Sequence, residues 1–153
     1  MECDVRFCEG AILYFDPFIF PDGGKPKPKY FHVLKVLDDI SLLASLPTSK
    51  DFFPSTVEKE HGCIERPDIN FNCYYFDPNV VICDNGFTFP RGTYVYGYRL
   101  QTFRLDTLLL QEITDETIIE ECGVLTKDEY TAIIRCLSNS PAVKRAYRKV
   151  LSE

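Results

Sequence analysis

Three lysines alternate with prolines in Lys25-Pro26-Lys27-Pro28-Lys29, and further on the chain reads Pro47-Thr48-Ser49-Lys50. Ammonium groups hold a phosphate as point charges, and hydroxyls donate to its oxygens. Cations beside hydroxyls therefore suit a phosphodiester. Proline fixes the backbone between the lysines in an extended, stiff form. The same residues also fit a solvated loop whose lysines keep one end of a sheet soluble, and the sequence leaves both readings open.

Whether the two stretches meet depends on the elements between them. Tyr30 to Leu37 is an apolar run with strand character, Asp38-Asp39 marks a turn, and Ile40 to Leu46 is the returning strand of a hairpin. That hairpin brings Lys27 and Lys29 back beside Thr48, Ser49 and Lys50. Gly10 to Phe15 reads as an earlier strand, and the doubled glycine and four prolines of residues 16–29 read as a long loop. Asn70–Phe76, Val80–Cys83, Phe87–Phe89 and Thr93–Tyr98 are further short strands, with Asn85-Gly86 as a turn. Ser55 to Pro67 is a polar connection without periodicity. Aromatic residues make up 14% of the chain, twelve Phe and nine Tyr, which favours pleated, half-buried surfaces.

From about residue 105 the pattern becomes helical. Thr114-Asp115-Glu116 opens a helix that Gly123 closes, and Thr126-x-x-Glu129 has the form of a capping box for a second. Ser140-Pro141 supplies an N-cap and first-turn proline for a third. Residues 112–129 carry seven acids against one lysine, whereas Lys144, Arg145, Arg148 and Lys149 make the last helix basic. The two stretches have the charges to pair within the protein or across a dimer. The expected fold is mainly β: a small barrel or sandwich with a C-terminal helical extension (α+β), in a single domain of 153 residues.

Other chemistry finds little support. The chain has no glycine-rich nucleotide loop, no Gly-x-Ser-x-Gly elbow and no His-Glu-x-x-His. His32 sits inside an apolar strand and reads as a packed residue rather than a catalyst; His61 is more available but has no visible partner. Seven cysteines, an odd number, point to free thiols packed as small hydrophobes in a reducing compartment. Their spacings do not match zinc clusters, His61 two residues before Cys63 being the faintest hint of a ligand pair, so no metal or cofactor is expected. A net charge of −6 argues against a uniformly basic nucleic-acid wrapper but permits a local basic site. No run approaches the ~18 apolar residues of a membrane helix. Met1-Glu2-Cys3-Asp4-Val5-Arg6 lacks the basic-then-apolar pattern of a leader, so a cytoplasmic protein away from membranes is expected.

Gly10-Ala-Ile-Leu-Tyr-Phe, the basic glycine-rich loop, Tyr30-Phe-His-Val-Leu and Leu46-Pro-Thr-Ser together resemble the MazF/PemK-like toxins of bacterial toxin–antitoxin pairs. The resemblance spans residues 9–104, with Phe87-Thr88-Phe89 and Thr93-Tyr94-Val95 in the later strands, and leaves 105–153 as the helical extension. It implies an SH3-like β-barrel that dimerises, is neutralised by a protein antitoxin and cleaves single-stranded RNA without metal. Cleavage in that family is attack of a ribose 2′-hydroxyl on the adjacent phosphate. The family's loop arginine before proline falls at Lys27, or at Lys29 after a slip of two residues, as charge stabiliser or proton donor to the leaving oxygen. Thr48 and Ser49 take the place of the family's phosphate-orienting hydroxyls. Lys25, Lys50 and Arg91 are the accompanying RNA-binding cations, and Tyr94, Tyr96 and Tyr98, alternating along one strand, are candidate stacking partners for bases or simply one aromatic face over the core. Lysine in place of arginine loses the bidentate fork, and Asp22 is the carboxylate available in the loop as a base. The other reading is an inactive SH3-like barrel that binds a protein or peptide partner, which the acidic balance, the extra helices and the lysine-for-arginine change favour.

Overall fold

The computed structural model describes residues 5–153; the first four residues of the stretch read for a leader, Cys3 among them, lie outside these. Eight strands are present: β1 (Ala11–Phe18), β2 (Lys27–Val36), β3 (Ser41–Ser45), β4 (Gly62–Arg66), β5 (Phe71–Phe76), β6 (Thr93–Tyr96), β7 (Gln101–Arg104) and β8 (Ile118–Val124). Three helices accompany them: α1 (Leu105–Thr114), α2 (Lys127–Ser138) and α3 (Arg145–Leu151). The strands form two antiparallel sheets, β7-β3-β2-β1-β8 and β4-β5-β6. This is the expected α+β fold, mainly strands with helices toward the C-terminus, but the sheets stay separate and do not close into a barrel.

The five-stranded sheet is apolar on both faces, which explains why β1 and β2 read as nearly continuous apolar runs. Ala11, Leu13 and Phe15 from β1 and Phe31 and Val33 from β2 pack with Phe7, Phe103, Leu105 and Leu108, so α1 covers that side. Ile12 and Leu34 point the other way, into a core shared with Tyr74 and Phe76 of the second sheet and Ile133, Leu137 and Leu151 of the helices. The alternation of a pleated strand divides one sequence between two cores. A third cluster, Cys73, Tyr94 and Tyr96, lies under Phe53 and Phe71.

The hairpin of β2 and β3 forms as expected, with His32 opposite Ser45 and Val36 opposite Leu42. Several expectations are corrected, the free state of all the cysteines among them. The helix read over 114–123 is absent: α1 ends at Thr114, Glu116 takes a left-handed turn (φ 56°), and 118–124 is β8, paired with β1. β-Branched Thr117, Ile118 and Ile119 favour a strand there, and the open edge of β1 supplies its partner. Val80–Cys83 and Phe87–Phe89 are loop, Cys83 making a single bridge to Leu125, whereas the polar connection contains β4. The last helix starts at Arg145 rather than at Pro141; Ser140 is fully buried, and its hydroxyl accepts the Ala142 N–H. Cys63 and Cys136 are joined in a disulfide between β4 and α2, while Cys8, Cys73, Cys83 and Cys122 are free thiols.

The capping box at α2 is half as expected. Thr126 Oγ1 accepts the Glu129 N–H at 3.2 Å, but the Glu129 carboxylate turns away from the cap. It accepts from His61 Nε2 at 2.8 Å and from the Tyr74 hydroxyl, while His61 Nδ1 accepts the Asp77 N–H at 3.1 Å. Beside it, Glu65 accepts from Asn72 (3.1 Å) and Ser140 (2.8 Å). This network and the disulfide clamp the second sheet to α2. The acidic 112–129 stretch and the basic last helix do not meet: among the described residues Lys144, Arg145, Arg148 and Lys149 make no ion pair. No helix among the described residues is long and apolar enough to cross a membrane.

Candidate functional site

Lys27 and Lys29 belong to the first residues of β2 rather than to a free loop, and they sit where the β1–β2 ladder is irregular. Phe15 pairs with Lys29 and Phe18 with Lys27, so Asp16-Pro17 on one strand faces Pro28 alone on the other. Such a bulge re-aims side chains at a sheet end. Thr48 is held from the opposite side by a bridge to β6: its N–H donates to the Tyr94 carbonyl (3.1 Å), and the Tyr94 N–H donates back (2.7 Å). The Thr48 hydroxyl accepts the Lys50 N–H at 3.1 Å, keeping its proton for donation outward. The Tyr96 hydroxyl donates to the Lys50 carbonyl and accepts the Phe52 N–H, both at 2.8 Å, which fixes the loop that carries Lys50.

These elements bound two adjoining clefts. One, of about 350 Å³, is lined by Lys27, Lys29, Thr48 and Lys50 together with Arg99, Gln101, Asp22 and apolar residues. The other, of about 400 Å³, shares the same four residues and adds Ser49, Arg91, Tyr14 and Tyr30. The structure thus brings Lys27, Lys29, Thr48, Ser49, Lys50 and Arg91 together, although they come from three separate stretches of sequence. Lys25 lines neither cleft and stays in the exposed loop.

Four cations and one carboxylate, Asp22, line the first cleft, and none of Lys27, Lys29, Lys50 or Arg99 forms an ion pair among the described residues. Lys29 carries the consequence. Burial, and then the charges of Lys27, Arg99 and Lys50, lower its ammonium from the usual 10.5 to about 8. An anion entering the cleft would relieve that repulsion.

Of the two readings open for the tyrosines, the structure has Tyr94 and Tyr96 in an aromatic cluster of the core. Tyr94 and Tyr96 are buried, 6% and 2% exposed, and their rings stack on each other at 5.7 Å. They position Thr48 and Lys50 and present no face to a base. Tyr98 lies beyond the strand's end, in a turn, and is exposed. His32 is the packed residue the sequence suggested: fully buried, its ring 6.1 Å from that of Phe76, and pushed down by burial to about 3. His61 and Cys63 form no ligand pair, since His61 is committed to Glu129 and Cys63 to its disulfide.

Arg99 and Gln101 were not legible as site residues. Arg99 arrives through the tight turn after β6, where a side chain at Gly97 would collide with the Asn72 amide oxygen. It then stacks on Phe52 (5.5 Å) and Tyr98 (6.0 Å). Gln101 arrives through the pairing of β7 with β3, opposite Ala44. No local pattern in Gly97-Tyr-Arg-Leu-Gln signals either contact.

Comparison with known proteins finds no family model that matches the chain, and no significant match among curated proteins or solved structures.

Proposed function

We propose that the protein is an endoribonuclease that cleaves single-stranded RNA at the lysine-lined clefts, as the resemblance to MazF/PemK-like toxins suggests. The observation that carries this reading is the convergence of four unpaired cations and a poised hydroxyl in a chain whose net charge is −6. Such a concentration of positive charge suits the extra negative charge of a phosphorane-like transition state. In the reaction, the ribose 2′-oxygen forms a bond to the adjacent phosphorus and the bond to the 5′-oxygen breaks. The products are a 2′,3′-cyclic phosphate and a 5′-hydroxyl. Lys27, Lys50 and Arg99 stabilise the phosphoryl oxygens, Thr48 and Ser49 donate hydrogen bonds, and protonated Lys29 supplies the proton to the leaving oxygen. The proton of the 2′-hydroxyl passes to water as the bond to phosphorus forms. In this reading the protein works as a homodimer held in check by a protein antitoxin.

The burial of Tyr94 and Tyr96 favours a second reading, a partner-binding module whose clefts take an anionic peptide. Purified protein incubated with long single-stranded RNA in EDTA decides between them. Fragments ending in cyclic phosphate, lost in Lys27→Ala, Lys29→Ala and Thr48→Ala, are the expected result. No cleavage of several RNAs by folded wild type would overturn the nuclease reading and leave the binding module.

A further inference from the structure

We propose that the cleft between Arg99 and the β3–β7 ladder is a nucleobase subsite, and that it selects a base carrying an exocyclic amino group. The inference rests on the phosphodiester reading above and concerns what flanks the phosphate. Two clefts share Lys27, Lys29, Thr48 and Lys50, so an anion on that common rim has room on both sides. A lone phosphate ion would leave both spaces empty; a phosphodiester fills them with its two substituents.

The spaces differ in kind. The second cleft is walled by prolines, Arg91 and two tyrosines, whereas the first has a half-buried apolar floor of Phe20 and Leu46, backed by the buried Phe18, Phe103 and Ala44. Aromatic and aliphatic floors suit a planar ring, and a volume of about 350 Å³ accommodates one. The Arg99 guanidinium, already stacked on Phe52, adds a flat cationic wall of the kind on which unpaired bases stack.

Two polar groups stand at the rim of this floor. Gln101, opposite Ala44 in the ladder, presents an amide that both donates and accepts. Asp22 presents a carboxylate, one oxygen of which accepts the Gly24 N–H at 2.9 Å. A glutamine pairs with the amino and ring-nitrogen edge of adenine, and a carboxylate accepts from an amino group such as that of cytosine. Uracil has no amino group; its edge offers a single ring N–H flanked by two carbonyl oxygens, which the carboxylate repels. The subsite therefore discriminates against uracil.

Binding of 2′-O-methyl tetranucleotides of A, C, G or U, which cannot react through the 2′-oxygen, tests this, with an abasic tetranucleotide as reference. Wild type is expected to bind at least one amino-bearing sequence about tenfold more tightly than the U and abasic sequences. Gln101→Leu, at an exposed position, abolishes that preference while abasic binding is unchanged. Asp22→Asn, which replaces an acceptor by a donor, narrows the gap between U and the others. Equal affinity for base-bearing and abasic sequences, or a preference untouched by both substitutions, overturns the base subsite and leaves the phosphodiester reading standing. No binding of any sequence, abasic included, overturns both.

Discussion

Two polar regions lie on opposite sides of the second sheet and are built on opposite terms. Around α2, polar groups find partners: Glu129 is bound by His61 and Tyr74, Glu65 by Asn72 and Ser140, and Cys63 by Cys136. At the ends of β2 and β3, Lys27, Lys29, Lys50 and Arg99 crowd together, and none of them forms an ion pair among the described residues. A hydrogen-bonded network holds elements in place. A cluster of like charges works against the fold, and an anion would relieve it. The first region is a clamp, and the second is the site proposed above to bind a phosphodiester.

Substitutions that separate function from stability break this comparison most directly. Lys29→Met is expected to lower RNA cleavage by roughly 10²- to 10⁴-fold, the range for a proton-transfer group. The same change raises stability at neutral pH, on the order of 1 kcal/mol after solvent screening, because it removes a half-buried cation from among three others. Thermal unfolding and a cleavage assay on the same sample check both signs. In the proposed reaction Lys29 is the acid, and with its ammonium held at about 8 the wild-type rate is expected to fall as pH rises past that value.

The clamp should respond in reverse. Cys63→Ser opens a crosslink spanning 73 residues and is expected to cost about 2–4 kcal/mol in denaturant unfolding. Cleavage well below the melting temperature stays as in wild type. A large loss of activity in the folded variant would show that the two regions are coupled.

His32 sharpens the picture from the core between them. Its folded value near 3 lies below the ordinary 6.5, so the unfolded chain binds the proton more readily. Stability is therefore complete above pH 6.5 and declines as pH falls toward 3. At pH 5 the loss is about 2 kcal/mol. His32→Leu should flatten that part of the profile, measured as unfolding midpoints between pH 7 and 4. The smallest effect belongs to a surface pair: Arg66→Ala, which loses its contact with exposed Asp68, should leave the unfolding midpoint unchanged.

Much of this was written locally. The hairpin of β2 and β3 follows from two apolar runs around Asp38-Asp39, and with it the approach of Lys27 and Lys29 to Thr48, Ser49 and Lys50. The start of α2 follows from Thr126 and Glu129, whose cap needs three residues and no tertiary partner. The packed state of His32 follows from its apolar neighbours. Each of these rests on interactions within a few residues, or across one tight turn, and such interactions leave a trace in the order of residues.

What tertiary structure alone decided has the opposite character. Ile118–Val124 could serve as helix or strand by composition, and the open edge of β1 made it a strand. Tyr94, Tyr96 and Tyr98 alternate as an exposed stacking face would, yet the segment carrying Lys50 and Phe53 covers the first two. Cys63 and Cys136 are 73 residues apart, with nothing in their spacing to join them. Arg99 and Gln101 enter the cleft only because β6 turns sharply against Asn72 and β7 then pairs with β3. Local order chose which residues alternate and where turns fall; long-range pairing of strand edges chose which alternating face was covered and which charges were left facing one another.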